Sequence, residues 1–424
     1  MKLAALFCLL LGLGAFAPPV ERDRSSSRRP NVLVLVADDI SDRDLDHLNT
    51  PAVDWLASRG VRFRRAYGAP VCSQARRALQ FGEFFSRDAG GHCGFWRARA
   101  PSMRQPNLAR LFSSQGYATG FFGKWHLGSY PGASQGFPWQ EVVRRHGYDT
   151  WRAGIPQNVD ACVGGSPKNY WRWQRVDDDS VRTETRYVTD AIRDAFLGWT
   201  EEVRGTPWFA TVSFQSPHRP FHDPPHRPLV LGGPRAKYEA MVEYLDIVIG
   251  EILATLDLRD TVVLFVADNG TPSSVPGPGQ AANRVKQTTY EDGIRVPMVW
   301  AGPGIPAGRE STALFPLVDV LPTFAAALGV KVREGHVDGV SQARVLADPT
   351  QAMRARLFAG VDNATTTDHA VVTPRFKYRE TQGVPSLFDL AADPFEEADL
   401  AADPAWKGVR ATLAQELARF RAGL

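Results

Sequence analysis

The chain has 424 residues, of which 44% are hydrophobic, 22% charged and 10% aromatic. That is enough apolar material for a sizeable core, and it excludes a disordered, collagenous or coiled-coil protein. Lysine and arginine total 49 against 46 aspartates and glutamates, a net charge of +3, too balanced to point to a nucleic-acid partner. Eight of the basic residues are lysines. The arginine excess fits a GC-rich genome as well as an anionic substrate. At ~100–200 residues per domain the length allows one large unit and one smaller one.

The N-terminus reads as an export signal over residues 1–17. Lys2 is followed by an apolar run from Leu3 to Phe16, with the small residues Ala15 and Ala17 before Pro18. The run is short for a membrane span, and no other stretch reaches ~18 consecutive apolar residues. The expectation is a periplasmic or secreted protein with no membrane partner. Residues 18–30, polar and rich in Arg and Ser from Glu21 to Arg29, read as a disordered lead-in. Removing Cys8 with the signal leaves Cys72, Cys93 and Cys162, an odd number in an oxidising compartment. If chemistry consumes Cys72, Cys93 and Cys162 remain as a candidate disulfide whose geometry the sequence cannot test.

Next comes NVLVLVADD, apolar from Val32 to Val36, the signature of a strand buried on both faces. Helical stretches follow around 51–59 and 104–115, then a strand at 117–122. The alternation continues with a helix at 185–203, a strand at 208–214, a long helix from about Lys237 to Leu256 and a strand, TVVLFVADNG, at 261–270. Strand and helix alternating at this spacing predict an α/β fold with a mainly parallel sheet flanked by helices, over 31–330. From 331 to 424, short strand-like runs at 357–361, 369–373, 375–379 and 386–390 and a final helix at 405–422 predict a smaller α+β subdomain with an antiparallel sheet. The Gly/Pro-rich loops at 215–234 and 271–281 are long for connectors, and such loops are often functional.

Two strands end in oxygen-bearing pairs, Asp38-Asp39 and Asp268-Asn269. Ligands gather beyond the carboxyl ends of strands in open α/β sheets, so the four side chains could meet on one hard cation. Either pair alone is better read as a cap of the next turn. Both together, after near-duplicate strands, favour a metal site. In VCSQARRALQFGEFFSR, Arg76 lies one helical turn beyond Cys72 and could pair with an anion formed there.

Here the sequence resembles the sulfatases of the alkaline-phosphatase superfamily. Their signature is a Cys or Ser, then x-Pro-x-Arg, then Leu and Gly, and Cys72, Arg76, Leu79 and Gly82 stand at matching offsets. The likeness spans VLVLVADD, GKWHLG at 123–128, SPHRPF at 216–221, ADNG at 267–270, KQTTYEDGIRVP at 286–297 and LFDLAADPFEEADL at 387–400, in the family's order.

The resemblance implies a sulfuric ester hydrolase in which Cys72 is oxidised to formylglycine by a formylglycine-generating enzyme. The hydrated aldehyde would supply both the nucleophile and a metal ligand. Asp38, Asp39, Asp268 and Asn269 match the family's ligands for calcium, with magnesium as the second candidate. Arg76 and Lys124 match groups holding the hydrate, His126 one assisting its chemistry, and His218 and Lys286 ones contacting the sulfate. The implied substrate is a sulfated small molecule or polysaccharide. Trp96, Trp139, Trp151, Trp171 and Trp173 would suit stacking on sugar rings, and core packing explains them equally well. His126, taken alone, is better read as a histidine packed beside Trp125. His218, His222 and His226 lack the spacing and partners of a transition-metal cluster. Tyr290 and Glu291 read as supports for the loop carrying Lys286. Departures are Gln74 where the family has Pro, Phe81 where Thr is common, and Asp292 at a usual Gly. The related alternatives are a hydrolase of phosphate mono- or diesters or phosphonate esters, and a non-catalytic binding homologue with an unmodified Cys72.

Overall fold

Val32 to Val36 are each 3% exposed or less, and in the computed structural model they lie at the centre of a ten-stranded sheet. The structure describes residues 29–84, 101–128, 138–160, 169–332, 337–362 and 366–423. The export signal at 1–17, most of the lead-in, Cys93 and Cys162, and Trp96 lie outside the described residues. Within them Cys72 is a free, buried thiol, and no helix is long and apolar enough to cross a membrane.

The sheet's central strands run in the order Thr261–Ala267, Asn31–Ala37, Trp208–Ser213, Ala118–Lys124 and Thr150–Ile155, all parallel. Antiparallel neighbours extend both edges. Met298–Ala301 and Gly60–Phe63 lie on one side, and Trp173–Asp177 and Ser180–Glu184 on the other. Arg309–Ser311 completes the first edge, parallel to Gly60–Phe63. The mainly parallel α/β expectation holds. The edge strands carry no long apolar run, and Ser180–Glu184 is almost wholly exposed, so hydrophobic patterning gives no sign of them.

Alternating residues send their side chains to opposite faces. Phe122 packs on Phe196 and Trp199 of the helix Val188–Glu202. On the other face Phe209 stacks on Phe112 of the helix Leu108–Ser113, ring centroids 4.2 Å apart. This second helix is shorter than the expected 104–115. Asn107 caps it by accepting the Arg110 amide at 2.9 Å, and Gly116, at φ +77°, follows its end. The long helix begins at Pro234 rather than near Lys237, because proline fits the first helical position, where no amide is needed.

Residues 357–389 form the expected antiparallel sheet, four strands in sequence order. Its outer face, with Val371, Tyr378 and Leu387, buries Leu413 and Leu417 of the terminal helix Lys407–Ala422. Leu357, Ala359, Val372 and Phe388 on the inner face pack on Tyr67, Ile294 and Leu314 of the main body.

One buried carboxylate joins two helices. Thr50 makes no side-chain cap for the helix Pro51–Ser58. The first free amides of that helix, Ala52 and Val53, instead donate to Asp246 of the helix Pro234–Leu253, each at 2.9 Å. Burial raises the Asp246 carboxyl to about 6 against the lowering effect of these two donors. Asp246→Ala strands both amides. The expected loss is about 2–4 kcal/mol of stability, at ~1–3 kcal/mol for each unsatisfied buried group, read as a lower urea midpoint at unchanged slope.

Candidate active site

The site follows from strand register. Asn31–Ala37 pairs with Thr261–Ala267 so that Ala37 stands opposite Ala267. Asp38 and Asp268 therefore leave neighbouring strands side by side. Trp208–Ser213 lies on the other flank of Asn31–Ala37, and Ala118–Lys124 lies beyond it, so Ser213 and Lys124 reach the same edge. All of these are carboxyl ends of parallel strands, where open α/β sheets collect their ligands. Opposite them the helix Cys72–Phe81 starts, with Cys72 at its first position.

Ligand atoms of Asp38, Asp39, Cys72 and Asp268 all lie within 4.8 Å of one another. Cys72 Sγ is 3.3 Å from Asp38 Oδ1 and 3.7 Å from Asp39 Oδ1. Asp39 holds φ +74°, a left-handed conformation that Asp tolerates better than most residues. Its amide donates to Asp268 Oδ1 at 3.1 Å. Asn269 Nδ2 donates to Asp39 Oδ1 at 2.7 Å, while Asn269 Oδ1 is buried without a donor.

Three cations face the three carboxylates. Arg76 donates to Asp268 Oδ2 through Nε at 3.1 Å, and its Nη1 reaches the Lys124 carbonyl and Ser213 Oγ. Lys124, with no exposed side-chain surface, pairs with Asp38. Lys286 Nζ lies 2.5 Å from Asp39 Oδ1 and 3.2 Å from Cys72 Sγ. Burial pushes Asp38 up, but Lys124, His218 and Arg76 outweigh it and leave its pKa well below normal. Asp268 is raised to about 7 by burial and by Asp38. Burial, with Asp268 and Asp38, drives the Cys72 thiol well above its ordinary pKa. Burial would lower Lys286, yet Asp39 and Cys72 reverse this and raise it.

The two histidines stay neutral near pH 7. Burial, with Lys124, depresses both of them. His218 Nδ1 lies 2.9 Å from the Arg219 carbonyl, which can only accept, so Nδ1 carries the proton. An unprotonated Nε2 is left 4.0 Å from Asp39 Oδ2. His126 sits at φ +61° with a buried Nδ1 that has no partner. His126 itself is buried, and His146 also packs on Trp125, ring centroids 5.6 Å apart. His222 bonds Tyr187 and the Pro220 carbonyl, and His226 stacks on Tyr244. They do not converge with His218 on a metal.

A pocket of about 190 Å³ opens over the cluster, lined by Asp39, His218, Arg219, Pro272, Ser273, Ser274, Lys286 and Gln287. Both long loops contribute to it, as expected. Trp151 and Trp173 are buried core residues and unavailable for stacking, whereas Trp171 is exposed. Arg219 and Gln287 lie within SPHRPF and KQTTYEDGIRVP, and Ser273 and Ser274 within the 271–281 loop, but the sequence singles out none of them, nor Ser213, as a site residue. Only the tertiary arrangement brings them in.

The Sulfatase family model matches residues 30–330, and these contain the whole cluster. The chain belongs to the sulfatase family. It is a sulfuric ester hydrolase of the alkaline-phosphatase superfamily. Residues 283–423 also match the C-terminal model of N-sulphoglucosamine sulphohydrolase. Relatives include a choline-sulfatase of Rhizobium meliloti, 26% identical over 91% of this chain and 85% of its own length. An ulvan-active sulfatase of Formosa agariphila is 25% identical over 92% and 80%. Among solved structures, Ps i-CgsB in complex with k-i-k-neocarrahexaose superposes with a TM-score of 0.79 at 23% identity, covering 93% of each chain.

Members of the family use a metal ion and formylglycine, and the residues present fit a hard divalent cation. Three of the four clustered donors are carboxylates, with Cys72 Sγ the fourth, Asn269 Oδ1 is buried without a donor, and burial together with Asp38 raises Asp268. Calcium at 100-fold over its Kd should stabilise the folded protein by about 2.7 kcal/mol, seen as a rise in melting temperature reversed by chelator. Asp38→Ala should abolish that rise.

Proposed function

We propose that the protein cleaves a sulfate ester, most suitably on a sulfated carbohydrate, at a centre built on Cys72. The convergence of Cys72 with Asp38, Asp39 and Asp268 beneath a pocket walled by Lys286 and His218 carries this reading. Asp38, Asp39, Asp268 and Asn269 are the proposed cation ligands, with calcium preferred over magnesium because flexible all-oxygen sets suit it. Cys72 is the proposed formylglycine, made by a generating enzyme before folding. Once modified and loaded, the centre would supply a hydroxyl nucleophile of lowered pKa and a Lewis acid for a sulfuryl oxygen.

The chain's own residues do the rest. Lys286, a cation of the pocket wall, meets the incoming sulfate and offsets charge on the group being transferred. Lys124 and Arg76, buried beneath, fix Asp38 and Asp268 and hold the nucleophile's position. His218, a residue of the pocket lining with an unprotonated Nε2, is proposed to take a proton from solvent at the pocket mouth and pass it to the leaving alkoxide. His126, neutral and with an unpartnered Nδ1 among Lys124, Arg76 and Asp38, is the proposed acceptor of the nucleophile's proton. The N-terminal sequence supports export to the periplasm or medium, and the separate antiparallel sheet beginning at Leu357 supports a smaller C-terminal subdomain from about residue 331.

Mass spectrometry of the Cys72 peptide from the native host tests the modification. The aldehyde is ~18 Da lighter than the thiol, and a thiol in every preparation would overturn the formylglycine reading. Lys286→Ala should lower kcat/KM for an aryl sulfate by about 10²–10³-fold, the usual effect of losing one transition-state donor. Faster hydrolysis of the matching phosphate or phosphonate ester would move the assignment to that chemistry.

A further inference from the structure

The pocket wall separates into two chemical halves. Its floor is the charged cluster, where Asp39 and Lys286 already neutralise each other at 2.5 Å. Its rim is Ser273, Ser274 and Gln287, uncharged groups that can donate or accept hydrogen bonds, and one cation, Arg219. Arg219 differs from Arg76, Lys124 and Lys286 in being largely solvent-facing. Its side chain is 64% exposed, and its Nε lies 3.4 Å from Asp160 Oδ2. The exposed, long contact is a weak ion pair, readily exchanged for a better-placed anion at the pocket mouth. A guanidinium is also the group best shaped to take a carboxylate or sulfate through two parallel N–H donors.

We propose that Arg219 is a specificity residue, reading a second anionic group on a sulfated, hydroxyl-rich substrate while its sulfate ester occupies the floor. The inference rests on the sulfatase reading. The second anion is a carboxylate or another sulfate, as in a sulfated uronate or a disulfated sugar, and the hydroxyls of that sugar would meet Ser273, Ser274 and Gln287. Asp160 is the resident competitor, occupying Arg219 until the substrate arrives. The geometry also disfavours a cationic sulfate ester, whose positive group would meet Arg219 at the mouth.

The test compares kcat/KM for four esters: a neutral sugar monosulfate, a sulfated uronate-containing disaccharide, a disulfated sugar, and an alkyl sulfate bearing a quaternary ammonium. Arg219→Ala should lower the ratio of doubly anionic to neutral substrate about 5–10-fold, in the range of one charged hydrogen bond at a solvent-facing rim. The same variant should raise the ratio for the cationic ester. Arg219→Lys should restore part of the preference, and added salt should shrink the wild-type preference. The uronate and disulfate arms tell which anion is read. Asp160→Asn separates specificity from a merely structural pairing. It removes the competitor while keeping the arginine, so the ratio should rise, whereas a structural pair makes both variants fall together. A ratio unmoved by Arg219→Ala, with hydrolysis intact, overturns this inference alone. Failure of the wild type to hydrolyse any of the four esters overturns the sulfatase reading and this inference with it.

Discussion

Three carboxylates held within a few ångströms of one another in a buried site repel strongly, and the centre is organised around that repulsion. Asp38, Asp39 and Asp268 converge because two parallel strands run in register to the same edge. Arg76, Lys124 and Lys286 each pair with one of them. Burial, with Asp38 beside it, still raises Asp268 to about 7 despite these cations. A divalent cation among these oxygens would remove the remaining penalty and make the cluster a receptor for an anion. Removing one partner from such a buried set costs far more than the pair is worth, because it leaves a charge uncompensated in low dielectric.

The rest of the chain holds that cluster still. Asp44 is buried and accepts from Tyr238 and Thr271, while Arg235 pairs with it at 2.8 Å. This network ties the loop bearing Ser273 and Ser274 to the long helix Pro234–Leu253. The segment after Lys286 is anchored from the other side. Glu291 accepts from Lys377 at 3.0 Å and from Tyr67 at 3.2 Å, and Arg379 lies 3.6 Å over the Tyr290 ring. Lys377 and Arg379 belong to the small C-terminal sheet, so that sheet braces the segment that follows the pocket residues Lys286 and Gln287. The expectation that Tyr290 and Glu291 support the Lys286 loop fits these contacts. Asp292, at a usual glycine, finds Arg43 at 3.3 Å and Gln280.

Gln74 can be weighed on the same physical terms. It is the third residue of the helix Cys72–Phe81, and the first bond to a preceding carbonyl is made by Ala75, to Val71. The Gln74 amide precedes the intrahelical ladder, where proline and a residue with an amide are both accommodated. The departure from the signature therefore leaves the folded helix intact. Under the formylglycine reading its consequence would fall on the chain before folding, when position 74 would set how Cys72 is presented for modification.

The sequence alone determined the parallel core, the C-terminal sheet and helix, and the set of charged residues at the strand ends. Each rests on local pattern: continuous apolar runs for buried strands, carboxylates just beyond them, and motifs in a fixed order. It missed the outer strands Trp173–Asp177 and Ser180–Glu184, because strands at a sheet margin need no continuous apolar run, and also the short interior strand Thr150–Ile155, which carries no continuous apolar run. It was silent on Arg219, Ser273, Ser274 and Gln287 as one rim. Only tertiary structure decided which strands stand side by side and in what register. Residues more than 200 positions apart, such as Asp39 and Asn269, become neighbours through strand pairing, which depends on the whole sheet and not on any local stretch of chain.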